Sequence, residues 1–453
     1  MTNEIYALIL AAGKGTRMKS ERNKVLHPVG GLPMVEQVIR QLQSISVEKI
    51  AVIVGHQQEQ VRETLADRVH FIEQTQQLGT GHAVMAARSW LVGKQGLTLV
   101  LCGDTPLLTK ETLQRLIDTH KQGAAGTIIT AIADDPTGYG RIIRDDAGNV
   151  VRIVEQKDGS PDELEIQEVN SGIYCFDNEA LFRALENITD NNAQGEYYLT
   201  DVIGIFADQG ETILPCIASS FDEIVGINDR VALAHANRIL QTRIREHWMR
   251  QGVTMLDPES TYIDSLVQLG KDITLYPGTH LRGETVIADG CVIGPNVEIE
   301  NSIVEKETTI RQSVIVDSTI GQAVNVGPFA YIRPGSKIGN HVKIGDFVEI
   351  KNSSIDEHSK VSHLSYIGDA ELGKSVNIGC GTVTVNYDGK KKHKTTIKDH
   401  AFIGCNVNLI APVTVGEAGF VAAGSTISQD VPEQALAIAR SKQVNKLNYA
   451  RKF

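Results

Sequence analysis

The chain has no CxxC pair, no apolar stretch approaching bilayer length and no excess of positive charge. Each absence removes a class of protein. The six cysteines, Cys102, Cys175, Cys216, Cys291, Cys380 and Cys405, are scattered singly, which suits a reducing cytosol better than a disulfide framework. A membrane span would need about 20 consecutive apolar residues. The N-terminus reads as a strand following acidic Glu4 rather than as an apolar signal region. A formal net charge of -11 argues against bulk nucleic-acid binding, while leaving room for a local basic pocket for phosphates. The expectation is a soluble cytoplasmic protein with neither membrane nor nucleic acid as partner. Its 453 residues predict two or three domains.

What is present is a repeat from about Leu275 to Ile427. Aliphatic residues return every six positions at Ile320, Val326, Ile332, Ile338, Ile344 and Ile350, and again at Ile397, Ile403, Leu409, Val415, Val421 and Ile427. Small or β-branched residues precede them by two, as at Val324, Ala330, Ser336, Val342 and Val348. Strand side chains alternate faces, so both sets point inward together. Glycines follow at Gly321, Gly327, Gly339, Gly345, Gly404 and Gly416, where the reading assigns them to sharp corners. A helix would need returns near 3.6. The pattern predicts a hexapeptide solenoid, with irregular coils from near Gly270 and a clean register from Ile320. A polar, basic loop from Asn386 to Lys394 interrupts it, and on sequence it is either a solvated turn or an insertion on a binding face.

The first half alternates strands and helices. Ile5–Leu10, Lys49–Val54, Val69–Glu73, Leu97–Leu101, Thr127–Ala133, Val150–Val154, Ile173–Phe176 and Leu214–Ile217 read as strands, and Met34–Leu42, Gln57–Leu65 and a segment through Ala83 as helices. This predicts an α/β domain with a mostly parallel sheet. Its sites belong at the carboxyl ends of strands, so the loops at 10–17, 74–80 and 102–104 should share one face. Ala11-Ala12-Gly13-Lys14-Gly15-Thr16-Arg17-Met18 after a strand is either a phosphate cradle or a plain tight turn. It lacks the Lys-Ser/Thr ending of a P-loop and the third glycine of a dinucleotide fingerprint. Asp104 suits Mg²⁺, or is a helix cap or a turn residue. A long helix, about Asp229 to Arg250, joins the two patterns, with Arg238, Arg243, Arg245 and Arg250 on its solvated side.

Leu10-Ala11-Ala12-Gly13-Lys14-Gly15-Thr16-Arg17-Met18, followed by a hexapeptide tract and the loop Asn386-Tyr387-Asp388-Gly389, resembles the bacterial family of N-acetylglucosamine-1-phosphate uridyltransferase/glucosamine-1-phosphate acetyltransferases over essentially the whole chain. The resemblance implies a uridyltransferase domain over 1–227 with a Rossmann-like mixed sheet, a linker helix over 228–250, and a left-handed parallel β-helix acetyltransferase domain with a C-terminal tail over 251–453. It implies a homotrimer built through the β-helix, with acetyl-CoA as acetyl donor, UTP as uridylyl donor and Mg²⁺. One departure is Asn23, where relatives commonly have Pro. Another is Asp229, where they often have Asn.

Residue by residue, the resemblance puts Mg²⁺ on Asp104 and Asn228, and phosphate clamps at Arg17 and Lys24. The nucleotide site takes Leu10, Ala11, Ala12, Gly13, Cys102 and Gly103, with Gln74, Gly79 and Thr80 toward the uracil and Gly140, Glu155 and Asn170 toward the sugar. For acetyl transfer it implies His363 as general base and Asn386 as orienting group. Arg333, Lys351, Tyr366, Asn377 and Lys392 would hold glucosamine 1-phosphate, and Cys380, Asn386, Tyr387, Cys405, Ala423 and Arg440 acetyl-CoA. Relatives often have Ala and Ser at the two cysteines. The residues assigned to this second site are expected on distant coils, Lys351 and His363 on one set and the Asn386 loop and Arg440 on others. The tail cations Arg440, Lys442, Lys446, Arg451 and Lys452 close over CoA or pack on a neighbour. Two other readings compete: a single-activity nucleotidyltransferase whose solenoid serves assembly, and a non-enzymatic scaffold.

Overall fold

The computed structural model of the chain describes residues 4–447 and Tyr449. Arg451 and Lys452 lie outside the described residues. The chain divides into two compact units between Leu240 and Gln241, inside the helix Arg230–Arg250.

The first unit is built on a mixed sheet in the order Ile213–Ile217, Gly126–Ile132, Glu168–Asp177, Leu97–Cys102, Ile5–Leu10, Lys49–Val54, His70–Glu73. Glu168–Asp177 runs antiparallel to both of its neighbours, and the other neighbouring pairs are parallel. Ile5–Leu10 and Leu97–Cys102 are apolar on both faces because helices cover both, and their residues feed two separate cores. The carboxyl ends of the central strands are tied together. The Gly103 N–H donates to Leu10 O at 3.0 Å, Ala11 N–H to Ile53 O at 2.9 Å and Gln74 N–H to Val54 O at 2.8 Å. The three expected loops therefore do share one face. Val169-Asn170-Ser171-Gly172, read from sequence as a segment preceding a strand, lies within Glu168–Asp177. The ladder slips between Asn170 and Tyr174 and Gly172 adopts φ +74°, so the polar residues sit in a bulge.

The second unit is a three-sided parallel β-helix whose faces carry 11, 10 and 9 strands among the described residues. Every inward position of the two six-residue series is buried. Coils begin at Thr254–Met255, which pairs with Thr274–Leu275, earlier than the expected start near Gly270. The 3-10 turn Pro258–Ser260 lengthens that first corner and hides the period. Tyr331 pairs with Glu349, 18 residues on, and Lys343 with Lys360, 17 on. A corner that drops one residue leaves the strand pairing unaffected. Ala370 pairs with Thr395, 25 residues on, because the basic insertion leaves and rejoins between them. Arg245, expected on the solvated side of the helix, is buried and donates to the carbonyl of Pro258 at 2.5 Å.

The glycines of the repeat have a different task from the one read off the sequence. Of the six, Gly327 alone has a left-handed φ. The left-handed corner positions are instead taken by residues such as Ala323, Phe329, His341 and Phe347. Gly339, Gly404 and Gly416 are glycine because a Cβ would lie 2.8 Å from Glu357 N, 2.5 Å from Ala423 N and 2.6 Å from Glu433 N of the next coil. Close approach of backbone to backbone, not turn conformation, selects them. Gly424 is the converse case, at φ +72° with nothing nearer than Arg440 Cδ at 3.9 Å. Gly424→Ala should cost about 1–2 kcal/mol, the left-handed penalty of a Cβ. Gly404→Ala should cost about 3 kcal/mol or more, as severe overpacking does. Calorimetric melting of the two variants checks this. Equal shifts would contradict the close-approach account.

Candidate active sites

In the first unit, Leu10–Gly13, Lys24, Gln74, Gly79, Thr80, Cys102 and Asp104 line one cleft of about 280 Å³. Lys24 sits at its centre. It opens the 3-10 turn Lys24–Leu26, which Asn23 caps by accepting from the Val25 N–H at 3.1 Å while its amide donates to His56 O at 3.0 Å. The departure at Asn23 thus supplies a cap. Gly15, at φ +58°, admits Lys24, since a Cβ there would lie 2.6 Å from Lys24 Cβ. The Lys24 ammonium lies 2.5 Å from Asp104 Oδ2 and 3.2 Å from Asn228 Oδ1. A cation therefore already occupies the space between the two hard oxygens. Asp229, the second departure, caps the following helix, accepting from the Val231 and Ala232 N–H groups at 2.9 Å. Arg17 is exposed on the 3-10 turn Thr16–Met18 and lies outside the cleft lining.

Gln74 is buried and donates to Gly79 O at 3.1 Å, and the Thr80 hydroxyl accepts from the Leu199 N–H at 3.1 Å. Gly140, Glu155 and Asn170 are neighbours: a Cβ on Gly140 would lie 3.6 Å from both of the others. Glu155 accepts from the Thr200 hydroxyl at 3.2 Å, and burial pushes its carboxyl up from the usual range. Burial, with the charge of Asp104, pushes the Cys102 thiol up to about 12, so it packs as a neutral group. Sequence reading missed Gln77, whose amide donates to Ala12 O at 2.9 Å, and Glu196, which also lines the cleft.

In the second unit one corner gathers cations. Lys351 pairs in register with Gly368. Arg333 donates to Glu349 Oε1 at 2.7 Å, and Lys392 and Lys351 approach closely enough that the Lys392 ammonium is held below its ordinary value by Lys351. Tyr366 OH lies over Gly368, where a Cβ would also meet the Asn386 amide at 2.8 Å. Asn386 is buried and donates to Asp369 Oδ2 at 2.5 Å. The basic insertion is a hairpin: His393 N–H donates to Asn386 O at 2.8 Å, and Tyr387 bridges to Lys392. Asp388 fastens it, accepting from the Lys390 and Lys391 N–H groups at 2.7 Å each and from His393 Nε2 at 2.7 Å. Lys351, Tyr366 and Asn386 are thus neighbours on successive coils, not residues of distant coils. Asn377 is apart from them, on the face that carries Lys360 and Phe402.

The neighbouring corner carries a column. Asp346 pairs with His363, and the register Val361–Ile378, Ile378–Ile403 and Ile403–Val421 continues it through Cys380, Cys405 and Ala423. His363 Nδ1 lies 2.6 Å from Asp346 Oδ1. A carboxylate only accepts, so Nδ1 carries the hydrogen and Nε2 keeps its lone pair. That bond holds the Asp346 carboxyl below the usual range. Arg440 closes the column, donating to Ala423 O at 2.6 Å. Asp346, Asp369 and Glu349 were missed in the sequence; as isolated acids among surface turns they carry no local signal.

Two transferase machineries on one chain define the class, a nucleotidyltransferase domain followed by a hexapeptide acyltransferase domain. Residues 7–198 match the MobA-like NTP transferase domain, and residues 317–352 the bacterial transferase hexapeptide of six repeats. Bifunctional protein GlmU of Shouchella clausii is 56% identical over 448 residues, covering 99% of each chain. That of Geobacillus sp. is 58% identical over 98% of this chain and 97% of the relative, and that of Listeria monocytogenes 54% identical over 98% of each. The chain belongs to the bifunctional GlmU family, the acetyltransferase and uridylyltransferase of UDP-N-acetylglucosamine synthesis. No helix among the described residues is long and apolar enough to cross a membrane.

The fastening of the hairpin is testable. Asp388 is held well below the usual carboxylate range, so the hairpin stays fastened above that range and loosens only as pH falls through the lowered value. Asp388→Ala should open the segment 390–394 to trypsin and raise its cleavage rate, because proteolysis follows the population of the open segment. Unchanged proteolysis would contradict the fastening.

Proposed function

We propose that the cleft of the first unit transfers uridylyl from UTP to N-acetylglucosamine 1-phosphate and releases pyrophosphate. The observation that carries this is the Lys24 ammonium between Asp104 and Asn228, at 2.5 and 3.2 Å. The donor set fits Mg²⁺, which takes one or two protein oxygens and completes its shell with phosphate and water. Magnesium supplies positive charge to phosphate oxygens as negative charge develops there. With the ion held by Asp104 and Asn228, Lys24 would turn from their oxygens to the phosphates, and Arg17 would close on them from the exposed turn. Gln74, Gly79 and Thr80 hold the uracil side, while Gly140, Glu155 and Asn170 hold the sugar side. The nucleophile is already an anion, so positioning and charge compensation dominate and no strong base is needed.

The solenoid makes the substrate of that reaction. The cationic corner of Arg333, Lys351 and Lys392 binds the phosphate of glucosamine 1-phosphate, with Tyr366 and Asn386 beside it. His363 Nε2, oriented by the Asp346 carboxylate on Nδ1, takes a proton from the sugar ammonium. The freed amine attacks the acetyl thioester, and CoA leaves as thiol. Cys380, Cys405, Ala423 and Arg440 flank the donor, with Tyr387 on the hairpin and Asn377 on the adjoining face. The His363 column and the Asn386 corner lie at opposite edges of one sheet face, so one chain does not bring them together. We infer that the active assembly is a trimer through the β-helix, in which the column of one copy faces the corner of its neighbour.

Three outcomes test this reading. Asp104→Ala should abolish pyrophosphate release and leave CoA release intact; equal loss of both in a folded protein would sink the two-site account. His363→Ala should lower kcat for acetyl transfer by about 10²–10⁴-fold, the usual contribution of a general base. Mixing His363→Ala with Asn386→Ala subunits, each inactive alone, should restore a part of the acetyl transfer, because mixed trimers contain intact column–corner pairs. No recovery after subunit exchange verified by mass would show that both residues act within one chain.

A further inference from the structure

The column that carries His363 also holds two thiols. Asn377 pairs with Phe402 and Ile378 with Ile403, the Gly379 N–H donates to Ile403 O at 2.8 Å, and the Asn406 N–H donates to Cys380 O at 2.7 Å. On the far side of the corner, the Gly381 backbone faces Asn406. Cys380 and Cys405 therefore share one rung. Neighbouring strands stand about 4.7–4.9 Å apart, inside the Cα separation of about 4.4–6.8 Å that a disulfide spans. Cys405 is exposed and Cys380 half-buried, whereas Cys175, Cys216 and Cys291 are buried. No other two of the six cysteines face each other across a rung among the described residues.

We propose that Cys380 and Cys405 are a redox pair, a modification site whose reversible disulfide shuts the acetyl-transfer corner and spares the uridylyl-transfer unit. With a peroxide as oxidant, one thiolate attacks the O–O bond and becomes a sulfenic acid, releasing water once protonated. The second thiol attacks that sulfur; the S–S bond forms, the S–O bond breaks and a second water leaves. Two thiols lose two electrons and two protons, and the peroxide gains them. In-register side chains run side by side, so the two Cβ atoms start near the rung spacing, slightly beyond the roughly 3.5–4.5 Å of a relaxed disulfide. Closing the bond draws two coil corners together. Strained and exposed disulfides are the readily reduced ones, so a small thiol reverses the change. His363 is on the rung before Cys380 and Ala423, held by Arg440, on the rung after Cys405. The bridge thus locks the centre of the column; its effect on activity rests on the acetyl-transfer reading of that column.

The test uses the full chain, reduced, treated with hydrogen peroxide and freed of oxidant. Peptide mass mapping after alkylation reads the bond, while the same sample is assayed for acetylated sugar phosphate and for pyrophosphate. Expected are a Cys380–Cys405 linked peptide, unchanged pyrophosphate release, and full recovery of acetyl transfer with dithiothreitol. Acetyl transfer in the oxidised sample should fall by about 10²-fold, the cost of misplacing reacting groups by about an ångström. Cys380→Ala and Cys405→Ser, each compared with its own reduced activity, should show no such fall. Absence of the linked peptide, or its presence with undiminished acetyl transfer, overturns the proposal. The linked peptide is read by mass whether or not the reduced chain acetylates, so failure of the pair is distinct from failure of the acetyl-transfer reading.

Discussion

Parallel backbone pairing between successive coils is the constraint on which the second unit depends. Each coil offers its N–H and C=O groups to the next, and a strand of two or three residues has no stability by itself. The inward series supplies the hydrophobic drive, but the pairing decides which side chains become neighbours. Asp346 and His363 meet because Lys343 pairs with Lys360, and Cys380 and Cys405 follow from the pairing of Asn377 with Phe402. The glycines at 339, 404 and 416 belong to the same constraint, since a Cβ there would push two coils apart. Core, corner and candidate chemistry are consequences of one register.

In the first unit the corresponding constraint is electrostatic. Lys24 and Asp104 are both largely shielded from water, with side chains 15% and 16% exposed, and separating such a pair leaves an uncompensated charge that costs about 3–5 kcal/mol when fully buried. The ammonium is held where the oxygens of Asp104 and Asn228 converge. A monovalent ion competes poorly for that position, because it brings no more charge than the lysine. In the proposed reaction a doubly charged ion accompanied by phosphates would change the balance, giving the oxygens of Asp104 and Asn228 a stronger partner and the lysine an anion to follow. Asn23 and Gly15 serve this arrangement, one by capping the turn that carries Lys24 and the other by lacking a Cβ in its way.

Much of this was legible in the sequence, for physical reasons that differ between elements. The solenoid showed because a six-residue period is local and repeats. The strands Ile5–Leu10, Lys49–Val54 and Val150–Val154 appear with the bounds read for them, since apolar runs next to Gly or polar turns are unambiguous at that length. The columns were hidden: coil offsets of 17, 18 and 25 residues are set by dropped or inserted corner residues, which leave no trace in the aliphatic series. For the same reason Lys351, Tyr366 and Asn386 looked remote from one another. Arg245 misled because four arginines on one helix suggest a wet face, whereas this guanidinium is satisfied by loop carbonyls. Asn23 and Asp229, departures from the family pattern, turned out to be helix caps, a role that depends on backbone geometry and that no motif encodes.

The side-chain sizes along the two corners complete the account. On the column, His363 is followed by Cys380, Cys405 and Ala423, small residues on three successive rungs. Larger groups there would stand beside the imidazole, and small ones keep that side of the coils low. At the other corner the sizes reverse. Arg333, Lys351, Tyr366 and the hairpin project outward, and room is made for them from below by Gly368, where a Cβ would meet the Asn386 amide at 2.8 Å. Small residues at one edge of the face and long cations at the other are held apart in the same chain by the pairing of the coils. In the proposed trimer, the face of one solenoid set against the edge of another would bring the two corners together. The single insertion in the repeat, fastened by Asp388, lies at the corner where such a neighbour would be met.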